Sequence, residues 1–129
     1  MTLTVYPIRR SSTLAVIDFT LSIAPAAPGE EPKSLLLTTQ FDDRNSRTGE
    51  RSPYSVDGVK LIDTENRKAY LVASETSGRC LCSNDLDALN AKTGETHSFY
   101  ATFAAPPAGV TELEFNLPRF GAIPRVPVT

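Results

Sequence analysis

Two consecutive stretches in the C-terminal third of the chain alternate between apolar and polar side chains, and this alternation most constrains the fold. In residues 96–105 (THSFYATFAA), every second residue from His97 to Phe103 falls on one face. In residues 111–118 (TELEFNLP), two leucines and a phenylalanine fall on one face, while two glutamates and an asparagine fall on the other. A period of two residues is typical of half-buried β-strands. The proline- and glycine-containing stretch 105–110 predicts a turn that joins the two strands.

The same pattern occurs along much of the chain. The clearest further strand is predicted over Thr13–Ala24, and it would form an N-terminal hairpin with Thr2–Arg10, which Pro7 interrupts. The segment 77–94 is predicted to be irregular. Other strands are predicted over Ser34–Phe41, Val56–Asp63 and Lys68–Glu75, and residues 119–129 would form a final edge strand or a tail.

These elements add up to an all-β chain of seven to eight short strands with almost no helical periodicity. At 129 residues the chain is the usual size of one domain, so a single domain is expected over residues 1–129. The pattern favours an immunoglobulin-like antiparallel β-sandwich. Tryptophan is absent and the two cysteines are only two residues apart, so the buried tryptophan and inter-sheet disulfide of antibody domains are missing.

Charge and motifs exclude several classes of function. The formal net charge is −2, from 13 basic and 15 acidic residues, and the basic residues are scattered. Nucleic-acid binding is therefore not expected, because it needs a basic patch that neutralises phosphates. No apolar run is long enough to span a bilayer. No nucleophile motif or phosphate-binding glycine loop occurs, so we expect neither an enzyme nor a cofactor.

Cys80 and Cys82 form a Cys-Leu-Cys triplet that leaves three alternatives open. A disulfide between them would pin the loop after the Lys68–Glu75 strand in an oxidising compartment, although a three-residue ring adds only about 1.6 kcal/mol by chain entropy. Alternatively, both are free thiols in a cytosol. In the third case they are functional, in thiol exchange or in binding copper(I) or zinc, and Arg79 would lower a thiol pKa.

Two further features are candidate sites. His97 is the single histidine, and it is expected to be a hydrogen-bonded or partly exposed strand residue, because the spacing of the cysteines and this histidine fits no common zinc pattern. The polar stretch after Phe41 is expected to be a solvated loop. If it lies at one end of the sandwich it is a candidate recognition surface, since loops on a rigid scaffold often bind partners. Its candidate residues are Asp42, Asp43, Arg44, Asn45, Arg47, Glu50 and Arg51.

The second half of the chain resembles a known family. The similarity rests on a strand ending in Asp63 before a polar turn, the Thr-Gly-Glu step at residues 93–95, the small-residue and proline turn at 104–109, and the closing FGAIPRVPV. These features resemble a secreted immunoglobulin-like domain of unknown function, found in envelope proteins and lipoproteins of actinobacteria and other Gram-positive bacteria, in some chains ahead of an OmpA-like module. The resemblance implies an extracytoplasmic location and a Cys80–Cys82 disulfide, and it provides no catalytic residues.

The N-terminal residues show neither a secretory signal nor a lipobox, which fits a cytoplasmic protein or a chain whose signal has been removed. From the strand pattern, the family resemblance and the lack of catalytic motifs, we expect a non-enzymatic interaction or spacer module of the bacterial cell envelope, with a protein or cell-wall partner. The alternative is a thiol-redox or copper(I)-handling domain that uses Cys80 and Cys82. A third class, a phage or secretion-system structural subunit, predicts a defined oligomer.

Overall fold

The protein forms an antiparallel β-sandwich, seen here in a computed structural model. The structure describes residues 1–25, 27–31, 34–37, 40–41, 55–84, 86 and 89–129. These residues contain ten strands and no helix, which confirms the predicted all-β class. The strands are β1 (Thr2–Val5), β2 (Arg9–Arg10), β3 (Leu14–Ser22), β4 (Ser34–Leu36), β5 (Lys60–Asp63), β6 (Lys68–Leu71), β7 (Asn90–Lys92), β8 (Thr96–Ala104), β9 (Glu112–Leu117) and β10 (Gly121–Pro127).

The first sheet is organised around β3. This strand pairs along its whole length with β8, from Leu14 opposite Ala104 to Ser22 opposite Thr96. On its other side, the start of β3 pairs with β2 and its second half pairs with β1. All three pairings are antiparallel, so the predicted N-terminal hairpin is confirmed, with Pro7 lying between the two strand segments because proline has no N–H to donate to a ladder.

The second sheet has the strand order β10-β9-β5-β6, and every pairing in it is antiparallel. The final stretch is therefore a strand at the edge of this sheet rather than a tail. Its register with β9 shifts between Ile123 and Val126, and Arg125 within this bulge has a φ of 55°. Beyond β10, Val128 forms a parallel bridge with Ile8, so the end of the chain also bonds to the segment between β1 and β2.

The core lies between the two sheets and is rich in phenylalanine. Phe19 on β3 is fully buried, and its ring centroid lies 5.4 Å from Phe41, 5.3 Å from Phe99 and 5.3 Å from Phe115. Phe99 belongs to the first sheet and Phe115 to the second, so Phe19 connects the inner faces of both. The alternation that predicted the strands thus identifies the inward faces correctly, because side chains along a strand point to opposite sides.

The two strands on either side of the proline turn lie in different sheets. Within the named strands β8 pairs with β3, whereas β9 pairs with β5 and β10. The stretch 105–111 therefore carries the chain from one sheet to the other. Arg10 holds it in place, since its guanidinium donates to the backbone carbonyls of Pro107 at 2.8 Å, Val110 at 2.9 Å and Ala108 at 3.3 Å.

The structure differs from the sequence prediction in the number and length of the short strands. The described part of the chain has ten where seven to eight were predicted, partly because Thr2–Arg10 divides into two strands. The segment 77–94, predicted to be irregular, contains β7, which pairs with β4 in a small two-stranded sheet. A three-residue strand is too short for a period of two residues to be recognised, and its pairing with β4 is a long-range contact.

Candidate functional site

The structure brings the two cysteines together at the edge of the first sheet. Their Sγ atoms lie 2.00 Å apart, the bonding distance of a disulfide, and their Cα atoms are 5.3 Å apart. Cys82 is fully buried and Cys80 is 6% exposed, and both belong to the hydrophobic core. The pair is therefore part of the interior of the sandwich rather than of an open cleft.

The segment that carries the cysteines runs along the free edge of β8. Cys82 forms an antiparallel bridge with Ala101, Ser83 N donates to Tyr100 O at 3.0 Å, and Thr102 N donates to Leu81 O at 2.9 Å. This backbone pairing turns the side chain of Cys82 inward, on the same side as Ala101. Because successive side chains along an extended chain point to opposite sides, Cys80 lies on the same side as Cys82 and Leu81 lies on the other.

A tight turn over residues 75–79 places Cys80 at this edge. Glu75 N donates to Arg79 O at 2.8 Å and Gly78 N donates to Glu75 O at 2.8 Å, while Ser74 and Cys80 form an antiparallel bridge. Gly78 has a φ of 91°, a backbone conformation that residues with a Cβ rarely adopt. The glycine in Thr-Ser-Gly-Arg is thus the local signal that reverses the chain just before Cys80.

Arg79 and Asn84 brace the segment from the outside. The Arg79 guanidinium donates to Asn84 Oδ1 at 2.7 Å, and Asn84 Nδ2 donates to the backbone carbonyl of Cys82 at 3.1 Å. In one of the three alternatives drawn from the sequence, Arg79 would lower the pKa of a cysteine thiol. In the structure it forms a hydrogen-bonded chain that fixes the backbone beside Cys82.

His97 lies at the start of β8 and is tied to a turn. Its Nε2 is 3.5 Å from Glu95 Oε1, and the same oxygen accepts a hydrogen bond of 2.7 Å from the backbone N–H of Lys92. The Lys92 N–H, followed by the His97 side chain, lowers the pKa of the Glu95 carboxyl below its usual value of 4.5. The His97 side chain is 23% exposed, which agrees with a partly exposed, hydrogen-bonded strand residue. Among the described residues, no group of three or more His, Cys, Asp or Glu could hold a metal ion.

The candidate recognition loop lies outside the described residues, including all seven of its residues Asp42, Asp43, Arg44, Asn45, Arg47, Glu50 and Arg51. The residues on either side of it are well packed. Gly58 N donates to Phe41 O at 2.8 Å, and Arg119 Nη1 donates to Gln40 O at 2.8 Å. Phe41 also stacks on Phe120 with a centroid distance of 5.2 Å. Gln40 and Phe41 therefore lie at the end of the sandwich that carries the turn between β9 and β10.

A polar cleft that sequence reasoning did not identify lies at the β5–β6 turn and the start of β9. Its volume is about 430 Å³, and it is lined by Asp63 to Asn66, Pro107 and Gly109 to Glu112. Asp63 is 5% exposed, and Asn66 donates to both of its oxygens, at 2.7 Å from the side chain and 3.1 Å from the backbone. These bonds lower the pKa of the Asp63 carboxyl. The Asp63 carboxylate thus stabilises the turn between β5 and β6. The sequence signal for this turn was an Asp at a strand end with an Asn three residues later.

The chain matches no protein-family model, no curated protein and no solved structure. Membership in the secreted immunoglobulin-like family therefore stays a prediction from the sequence. The described part of the chain contains no helix with the length and apolarity of a membrane-spanning segment.

Proposed function

We propose that this chain is a single, non-enzymatic interaction or spacer module of the bacterial cell envelope, located outside the cytoplasm and built on an immunoglobulin-like sandwich. In this proposal Cys80 and Cys82 are joined as a structural disulfide. The partner is another protein or the cell wall.

The observation that carries the proposal is the position of the cysteine pair. A cysteine pair inside the core fits a structural cross-link, and such cross-links form and persist in oxidising compartments. Exchange requires an attacking thiolate to reach a sulfur, and copper(I) requires thiolates that can open towards the metal. A fully buried Cys82 supports neither, so the burial counts against the thiol-redox or copper(I) alternative.

The order of the strands supports the immunoglobulin-like form of the sandwich. In one sheet β1, β3, β8 and the segment 80–83 are neighbours in that order, as are strands A, B, E and D of an immunoglobulin domain. In the other sheet the order β10-β9-β5-β6 corresponds to strands G, F, C and C′. Rigid scaffolds of this kind commonly present loops and sheet faces to partners.

Two measurements test the proposal. Fractionation of cells that produce the full natural protein should find it in the envelope or the medium, and recovery in the cytoplasm alone would contradict the location. The purified protein should reduce insulin disulfides and hydrolyse simple esters no faster than a Cys80→Ala/Cys82→Ala variant. Turnover well above that control would contradict the non-enzymatic, structural role of the pair.

A further inference from the structure

The first sheet has an outer face that points away from the core, and most of its described residues are exposed or half-buried. Along β3 the buried residues alternate with half-buried ones, so the even-numbered residues from Leu14 to Ser22 face outward. Their register partners on β1 and β8 face the same way, because directly opposed residues of an antiparallel pair lie on one side of the sheet. The outer face is therefore a set of rows, and the rows at Ser22 and Thr20 run across β1, β3 and β8.

Two adjacent rows consist entirely of hydroxyl side chains. Their members face solvent or are half-buried, and Ser22 Oγ lies 2.9 Å from Thr96 Oγ1. Each hydroxyl can both donate and accept a hydrogen bond. The first row is Thr2, Ser22 and Thr96, and the second is Thr4, Thr20 and Ser98.

The next row places one carboxylate between two exposed tyrosines. Tyr6 N donates to Asp18 O at 3.0 Å, which puts Tyr6 opposite Asp18 on one side, and Tyr100 is the register partner of Asp18 on the other. Tyr6 is 47% exposed and Tyr100 is 44% exposed. Since neighbouring strands are about 4.8 Å apart and the two tyrosines are two strands apart, their Cα atoms are roughly 10 Å from each other. Aromatic rings exposed on a sheet face provide apolar contact area at low cost in conformational entropy.

The charge of Asp18 is balanced by Arg9, which lies in the adjacent row as the register partner of Val16. Arg9 Nη2 forms an ion pair with Asp18 Oδ2 at 2.8 Å, and both side chains are exposed, at 66% and 43%. Arg9 and Asp18 together add no net charge to the face, while they supply fixed donors and acceptors. A neutral occupant with many hydroxyls complements such a surface better than a polyanion or an apolar helix does.

We propose that the outer face formed by Tyr6, Asp18, Tyr100 and the two hydroxyl rows binds an uncharged β-1,4-linked polysaccharide chain. The CH faces of two hexopyranose rings would stack on Tyr6 and Tyr100, whose backbone positions are separated by about the length of one disaccharide unit of an extended chain. Asp18 and Arg9 would exchange hydrogen bonds with sugar hydroxyls, and the hydroxyl rows would continue those bonds along the sheet. This inference rests on the proposed interaction function and specifies its partner.

The test is binding of cellohexaose to the whole chain, measured by calorimetry and by the chemical shifts of backbone amides. Saturable binding should shift amides of β1, β3 and β8. Tyr6→Ala and Tyr100→Ala should each weaken it about tenfold through loss of stacking, while Tyr6→Phe and Tyr100→Phe should retain most of the affinity. Leu71→Ala is the matched control, because Leu71 is 65% exposed on β6 of the other sheet and should leave binding unchanged.

Maltohexaose, which has the same composition but a curved α-linked chain, should bind at least tenfold more weakly. The inference is overturned if the folded protein fails to bind cellohexaose at millimolar concentration, if maltohexaose binds equally well, or if Tyr6→Ala and Tyr100→Ala bind like the wild type. Failure here would leave the envelope location and the absence of enzyme activity standing, since fractionation and the turnover assays test those separately.

Discussion

Arg10 and Pro107, 97 positions apart in the chain, are joined by a 2.8 Å hydrogen bond from the Arg10 guanidinium to the backbone carbonyl of Pro107. The same nitrogen reaches the carbonyl of Val110, and the second terminal nitrogen reaches that of Ala108. A planar guanidinium presents several donors in fixed directions, so it can serve three carbonyls of one loop at once. Arg10 thus fixes the crossing of the chain between the two sheets.

Replacing Arg10 with Met should lower the free energy of unfolding by about 1.5–3 kcal/mol, the range for hydrogen bonds that involve a charged group. Urea denaturation measures this. The matched control is Arg9→Met at the neighbouring position, whose exposed ion pair with Asp18 should be worth no more than about 1 kcal/mol. Equal losses in the two variants would show that the loop contacts do not stabilise the fold.

Breaking the cysteine cross-link should destabilise the protein modestly. The chain-entropy estimate for a three-residue loop is about 1.6 kcal/mol, and a Cys80→Ala/Cys82→Ala variant should lose at least this much, because it also removes buried sulfur. Reductant should lower the unfolding midpoint of the wild type in urea and leave that of the variant unchanged. A reductant effect of the same size on both proteins would rule out the cross-link as its cause.

Asp63 should contribute to stability in a pH-dependent way. Hydrogen bonds from the Asn66 side chain and backbone hold its pKa below the ordinary value of 3.8, so the ionised form favours the folded state. This contribution is complete above about pH 5 and is lost as the pH falls through the lowered pKa. Asp63→Asn should therefore be less stable than the wild type at pH 7 and should lose less stability on acidification.

Glu65→Gln provides the control for this titration, since Glu65 lies in the same turn and is exposed. It should keep the acid dependence of the wild type, measured as the urea midpoint at intervals between pH 2 and pH 7. The carboxyl of Glu95, whose pKa is also lowered, should contribute to the slope that remains in Asp63→Asn. An unchanged slope in Asp63→Asn would contradict the assignment.

Phe19 should be a highly sensitive position of the core, because its ring contacts Phe41, Phe99 and Phe115 across both sheets. Phe19→Ala should cost about 3–5 kcal/mol, the usual range for a buried phenylalanine. Leu71→Ala, at an exposed position, should change stability by no more than about 0.5 kcal/mol. Thermal unfolding followed by circular dichroism compares the two, and similar melting temperatures would contradict the central position of Phe19.

The sequence predicted the strands whose inner face is buried along their full length, such as β3, β8 and β9, because alternation records burial on one side. It predicted β4 within Ser34–Phe41 but not β7 or the pairing of the two, since a three-residue strand carries no period and its partner is distant in the chain. The cysteine pair illustrates the same limit. Spacing alone allowed a disulfide, free thiols or a metal site, whereas the inward direction of Cys82 depends on its pairing with Ala101.

The intact mass of the non-reduced protein, made in an oxidising compartment and alkylated after denaturation, tests the central claim most directly. Denaturation exposes any thiol, so burial cannot protect Cys80 or Cys82 from the alkylating reagent. A structural disulfide predicts a mass two hydrogens below that of the dithiol and no alkyl adduct. Two adducts per chain would show free thiols, and would contradict the structural disulfide on which the extracytoplasmic proposal rests.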